Sequence, residues 1–263
     1  MRMVGAEEVV AVTIGQATAM PMDDVFISRA FVCLVQSGEK QIHHPAFGSI
    51  LARPGDVVAF PAGALVTMEN RPTRDKHYRA EGLFYPPELI ALVFGDAAAR
   101  SQGGGVPQVL AGDPEAAAVF DHLADTLSND TLPAAIRRHR AIEPLVWLHD
   151  KGVHLPYASD GPLQRLRALI DADLAHPWRA AEVATALAMS EATFRRWLGH
   201  AGLRFSVVLR NARLERGLLM LQTSADPVSR IALECGFLTP SHFTEAFRGR
   251  FGHPPRAIRN RAI

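Results

Sequence analysis

Arg195 and Arg196 follow Phe194 and precede Trp197 and Leu198, and that order suggests what the two arginines are for. Apolar residues spaced three and four apart bury one stripe of a helix and leave the opposite face in solvent. Ala192, Arg195 and Arg196 then project outward. A planar guanidinium carries five donors and suits forked hydrogen bonds to phosphate, or to O6 and N7 of guanine, the latter worth roughly 1–3 kcal/mol of discrimination each. The layout returns later in the chain, where Phe243, Ala246 and Phe247 form the stripe and Pro240, Ser241, Thr244 and Glu245 the free face. Contact with phosphate alone, without base reading, is the plainer alternative for each arginine.

The elements that must hold these side chains repeat as well. In each copy a short helix with a small inward residue, Ala184 or Ala232, runs into a tight turn at Ala188 or Gly236, followed by an apolar plug, Met189 or Phe237. The next helix opens at Ser190 or Thr239, whose hydroxyls suit the free amides of a first helical turn. Small residues let two helices cross closely, and Gly at a turn permits a left-handed backbone. One longer helix, Phe205 to Leu221, joins the copies. A generic helical bundle has no need to repeat a turn together with an outward polar face.

The run Gly202-Leu-Arg-Phe-Ser, Leu209-Arg, Ala212-Arg213-Leu214-Glu215-Arg216, Ile231-Ala232, Gly236-Phe237, Phe243-Thr-Glu-Ala-Phe247-Arg and Phe251-Gly252-His-Pro254-Pro255 resembles the DNA-binding domain of AraC/XylS-type transcription regulators. The resemblance covers about a hundred residues at the C-terminal end. It implies two recognition helices in successive major grooves of double-stranded promoter DNA, about 34 Å apart. By the same resemblance Ala192, Arg195 and Arg196 face bases. Ser241 and Thr244 contact base or phosphate, and Arg248, Arg250, Arg256 and Arg259 anchor the backbone, which gives salt-sensitive affinity without base preference. Glu245 departs from the pattern where the family often has Arg, and an acid near phosphates repels unless it accepts a hydrogen from cytosine. The second unit is therefore expected to read less strongly.

Charge supports a nucleic-acid partner for this half. The chain of 263 residues is nearly neutral at +1, yet residues 160–263 carry 15 Arg, no Lys and 9 acidic side chains, a net of +6, against −5 for the remainder. Such asymmetry between halves points the basic half toward nucleic acid, although a basic surface can also be a solvated face. Two cysteines, Cys33 and Cys235, lie far apart and fit a reducing compartment rather than a disulfide framework. With Glu7 and Glu8 early and no apolar run near about 18 residues, a signal peptide and a membrane span are not expected. The expectation is a soluble protein of a bacterial cytoplasm, at the nucleoid when bound to DNA.

Residues 9–84 hold short β-rich pieces (Val9–Ile14, Val25–Gln36, Gln41–His43, Ser49–Leu51, Val57–Phe60, Leu65–Met68, Tyr78–Phe84) between repeated Gly and Pro turns, which reads as an antiparallel barrel or jelly roll. Gly55 to Asn70 resembles the second motif of cupin barrels, Gly-x5-Pro-x-Gly-x2-His-x3-Asn, with Val66 in place of the metal-binding His. In the other cupin motif only His44 matches, and Ala46 and Ile50 replace a ligand His and Glu. A metal site needs three or four convergent ligands, so neither metal, other cofactor nor catalytic residue is expected, and a cupin enzyme is the disfavoured alternative. The barrel reads as a sensor. Arg29, Lys40, His43 and His44 are candidate contacts for an acidic, amphipathic effector, whose carboxylate would need a cation in an apolar interior. Gly38-Glu39-Lys40 also matches a segment of the family's ligand-responsive virulence regulators, some of which bind fatty acids.

Pro86–Phe94, Pro114–Leu127 and Pro133–Asp150 read as helices, with Gly103-Gly104-Gly105 breaking the chain and Pro144 expected to kink the last. In the family such a helix, here 133–150, often forms a homodimer contact, and packing on its own barrel is the alternative. The expected architecture is α+β: a cupin-like sensor and dimerisation domain at 1–152 (barrel 9–84, helices 86–152), a breaker-rich linker at 153–162 and a double helix-turn-helix domain at 163–263. The implied function is a sequence-specific transcriptional regulator, an activator that touches RNA polymerase, governed by a small molecule or by protein partners alone.

Overall fold

The computed structural model describes residues 9–45, 47–74, 77–95, 105–128, 132–156 and 161–259. Glu7, Glu8, Ala46, Gly103, Gly104 and positions 157–160 and 260–263, used in the sequence reading, lie outside these residues. The chain divides into two compact units, with the change falling between Ser159 and Asp160.

The first unit is built on two antiparallel sheets. The five-stranded sheet has the order β1 (Val10–Gln16), β8 (Tyr78–Tyr85), β3 (Ala30–Ser37), β6 (Val57–Phe60) and β9 (Gln108–Leu110). The four-stranded sheet runs β2 (Met20–Phe26), β7 (Leu65–Arg71), β4 (Glu39–His44) and β5 (Gly48–Ala52). Burial separates their roles. In β3 six successive residues, Ala30 to Val35, are buried, as a strand covered on both faces requires. Ala30, Val32 and Leu34 pack with Val57, Ala59, Leu83 and the apolar faces of α1 (Pro87–Phe94), α2 (Ala116–Ser128) and α3 (Ala134–Asp150). The opposite face of this sheet meets the four-stranded one, for Lys40 of β4 lies over the rings of Phe60 in β6 and Tyr78 in β8. Strands β2, β4 and β7 alternate between buried and open positions, so their outer face is solvated. Gly38, at φ +75°, makes the corner between β3 and β4, where a Cβ would lie 2.5 Å from the Arg71 carbonyl oxygen.

Two sequence expectations change. Val25–Gln36 is not one strand: β2 ends at Phe26, and the chain crosses to the other sheet before β3 begins at Ala30. Pro21 sits inside β2, which it can do because β2 is an edge strand. The stretch from Pro86 to Gly152 is not wholly helical, since Gln108–Leu110 pairs with Val57–Ala59. The expected helix over 133–150 forms as α3, with Pro144 inside it and buried together with Ala141, Leu145 and Leu148.

The second unit is helical: α4 (Pro162–Ala172), α5 (Ala180–Ala186), α6 (Glu191–His200), α7 (Phe205–Thr223), α8 (Val228–Glu234), α9 (Pro240–Phe251) and α10 (Pro255–Ile258). Leu166, Ile170, Val183, Ala184, Phe194, Leu198, Val208 and Ala212 form one core that joins α4 to α7. Phe237, Phe243, Phe247 and Phe251 form a ladder of rings under α9. No helix among the described residues is long and apolar enough to cross a membrane.

Candidate nucleic-acid interface

Each helix-turn-helix is fixed by local chemistry. Ala184 and Ala232 are fully buried where the helices cross. The turns close by equivalent bonds, the Met189 amide donating to the Ala184 carbonyl at 2.8 Å and the Phe237 amide to the Ala232 carbonyl at 2.9 Å. Both turns use a left-handed residue, Ala188 at φ +57° and Gly236 at φ +77°. The caps form as well. Ser190 accepts from the Thr193 amide, and Thr239 from the His242 amide.

Beyond the caps the buried stripes hold the helices and the other faces stay open. On α6, Phe194 and Leu198 are buried, whereas Ala192, Arg195 and Arg196 are exposed. Arg195 is already engaged: its Nε and Nη2 donate to Glu191 Oε1 at 2.8 and 2.6 Å. On α9, Ser241, Glu245 and Arg248 are exposed and Thr244 is half-buried, its hydroxyl donating to the Pro240 carbonyl at 2.9 Å. These four line an open groove of about 1250 Å³ with Val228, Ser229, Pro255, Arg256 and Arg259. Arg250 does not share it. It lies on another side of the helix, half-buried, with its guanidinium 5.4 Å from the Phe251 ring centre. The backbone-anchoring expectation for Arg250 therefore meets a side chain laid against its own helix, while Arg248, Arg256 and Arg259 converge.

The connecting helix α7 ties both units together. Arg213 donates from Nε to the Leu174 carbonyl (2.9 Å) and from Nη2 to the His176 carbonyl (2.8 Å), in the loop before the first unit. The same guanidinium presses on the turn of the second, where a Cβ on Gly236 would lie 2.9 Å from Arg213 and 2.4 Å from the Leu174 carbonyl oxygen. Burial holds the Arg213 pKa below its ordinary value, an effect that nearby Cys235 partly offsets. Burial also pushes the Cys235 thiol up to about 12, which keeps it protonated near neutral pH. A second strut joins α4 to α7, the nearly buried pair Arg167 and Glu215 at 2.7 Å.

The four effector candidates of the first unit do not converge. Lys40 is buried between the sheets, donating to Asn70 Oδ1 at 2.6 Å; Asn70 donates to Gln16 Oε1 at 3.0 Å, and Gln16 donates to the Thr18 carbonyl at 2.7 Å. Burial lowers the Lys40 pKa and raises those of Tyr78 and Cys33. His43 and His44 line a shallow outer depression of about 920 Å³ with Asp24, Ser49 and Thr67, and Arg29 lies in the loop between β2 and β3. Val66, where a cupin would place a metal-binding His, is a buried apolar residue of β7. Among the described residues no three of His, Cys, Asp and Glu are grouped to hold a metal ion.

Glu191 and Gln16 were not singled out from the sequence, and Asn70 figured there only as the end of the cupin-like motif. The spacing of four from Glu191 to Arg195 is a local signal that could have found the first. Nothing in the chain near Lys40 signals its link to Asn70 and Gln16.

Residues 183–261 match the family described as a helix-turn-helix domain. Over 94 residues the chain is 30% identical to the HTH-type transcriptional regulator YdeO of Shigella flexneri, a match covering 36% of this chain and 37% of that protein. The chain thus spans little more than a third of the length of that relative. A longer match, 26% identical over 227 residues, covers 80% of this chain and 71% of the uncharacterized HTH-type transcriptional regulator YidL of Escherichia coli (strain K12). In fold the chain is similar to ToxT from Vibrio cholerae, at TM-score 0.67 and 12% identity over 94% of this chain and 96% of that one. It is similar also to ToxT solved with an unsaturated fatty acid bound, at TM-score 0.65 and 14% identity over 97% and 95%. The C-terminal region is a helix-turn-helix domain.

Proposed function

We propose that the whole chain is a sequence-specific transcriptional regulator that binds double-stranded promoter DNA through α6 and α9 and activates transcription by contact with RNA polymerase. The observation that carries this reading is the pair of capped helices hung on α7, the first with Arg195 and Arg196 open to solvent. A recognition helix of this kind docks in the major groove through its N-terminal turns. The names of the relatives, all regulators, support it. The test is selection of genomic fragments by the full chain at physiological ionic strength. Enrichment of one motif is expected, and retention no better than random DNA overturns the reading. A reporter fused to the enriched promoter should rise when the chain is expressed; a fall would replace activation by repression.

The sheet-rich unit is the sensor in this proposal, and its ligand an acidic amphipath such as a fatty acid. Lys40 supports it, as a cation buried beside aromatic rings and hydrogen-bonded to a neutral amide, and so does the ToxT structure with a fatty acid bound. One observation favours the second reading, control by protein partners alone: Asn70, Met68 and the rings already surround Nζ. Native mass spectrometry with oleate separates the two, with binding lost in Lys40→Met expected for the ligand and no binding to either form for the partner. Burial also sets a pH dependence. Because the folded pKa of Lys40 lies below its unfolded value, the unfolded chain binds more protons between the two, and stability rises with pH across that window. Lys40→Met should flatten this rise in thermal melts at alkaline pH.

We also infer a homodimer through α3, where Ile136 and Val146 are 42% and 53% exposed on the side away from the core. Val146→Asp should shift the sedimentation coefficient toward that of the monomer.

A further inference from the structure

Arg195 is held by Glu191 in a particular way. Both bonds from its guanidinium, from Nε and from Nη2, go to the same carboxylate oxygen, Oε1. Of its five donors, the two on Nη1 and one on Nη2 remain. One on each Nη forms the end of the fork, the end that can pair with guanine O6 and N7 in bidentate fashion. The side edge, which could equally grip a phosphate, is closed. Glu191 stands in the first turn of α6, where the helix dipole favours a carboxylate. The side chains are 66% and 43% exposed, and an exposed pair of this kind adds little to stability.

No equivalent exists in the second unit. Aligned on Phe194 and Phe243, Glu191 corresponds to Pro240 and Arg195 to Thr244, whose hydroxyl turns back onto the helix. Arg196 takes part in no hydrogen bond or ion pair among the described residues.

We propose that Glu191 is a specificity-determining residue: it turns the free end of Arg195 toward a guanine and keeps backbone phosphate from the leading turn of α6. The proposal rests on the DNA-binding reading above and refines it. Glu191 makes Arg195 a base reader, and Arg196 is left to contact phosphate or base without such guidance. Removing the carboxylate should lower selectivity and raise indiscriminate binding together, which loss of a merely structural contact would not do.

The experiment uses the full chain and the duplex it enriches from genomic DNA. Fluorescence anisotropy gives dissociation constants for that duplex, for duplexes with each guanine changed in turn to adenine, and for random DNA. Wild type, Arg195→Ala, Glu191→Gln and Glu191→Asp are compared, with circular dichroism melts to confirm the fold. In Arg195→Ala one guanine should cease to matter. In Glu191→Gln the preference at that same guanine should fall about tenfold, while binding to random DNA strengthens a few-fold. Glu191→Asp, too short to close the side edge, should behave alike. If Glu191→Gln keeps the wild-type preference at the guanine that Arg195 reads, the proposal fails and the DNA-binding reading stands. If wild type itself prefers no sequence, the reading and the proposal fall together.

Discussion

The two helix-turn-helix units share their inner faces and differ in their outer ones. Caps Ser190 and Thr239, crossing alanines Ala184 and Ala232, and stripe residues Phe194 and Phe243 are equivalent in place and in contact. The outward positions diverge, with Ala192, Arg195 and Arg196 opposite Ser241, Thr244 and Glu245. The second turn is also one residue longer, and the added Leu238 is 91% exposed. In the first unit the cations sit in the middle of the helix. In the second they lie toward its C-terminal end and beyond, at Arg248, Arg256 and Arg259. Burial constrains one side of a helix tightly, and the solvent side is free to change. In the DNA-binding reading, the first unit discriminates bases and the second supplies backbone affinity.

Breaking the first unit should have the largest effect. Arg195→Ala with Arg196→Ala should cost about 1–3 kcal/mol of discrimination for each arginine, read as loss of preference for the enriched duplex over random DNA. A comparable loss from Thr244→Ala would abolish the distinction drawn between the units. Next come the turns, where opposite signs are expected in urea denaturation. Gly236→Ala forces a Cβ against the Leu174 carbonyl and Arg213 in a left-handed conformation, for a cost of about 3 kcal/mol. Ala188→Gly relieves a left-handed alanine and should stabilise by about 0.5–1 kcal/mol. The smallest effect is electrostatic. Glu245→Gln should strengthen binding to random DNA a few-fold by removing an acid beside phosphate, with a steeper salt dependence.

What could be read from the chain alone follows the distance over which each feature is determined. The helix-turn-helix units were legible because cap, left-handed residue, plug and stripe all lie within about twenty positions of one another. The first unit's sheets were less so. Strand β2 carries Pro21 and the left-handed Asp24, which read as breakers until its edge position is known. Strand β9 is only three residues long and finds its partner some fifty positions earlier. The burial of Lys40 depends on Asn70 and Gln16, thirty positions after it and twenty-four before it, and no local pattern reports that. Arg250 has the right residue type at a plausible position, yet its angle on α9 turns it away from the groove.

The grip of Arg213 has a further consequence. By holding the carbonyls ahead of the first unit while bearing on the turn of the second, this side chain makes α7 a caliper with fixed jaws. Each base pair inserted between two half-sites rotates one against the other by about 34–36°. In the DNA-binding reading, jaws that cannot swivel will not follow that rotation, so the preferred site is defined by phase as much as by letters.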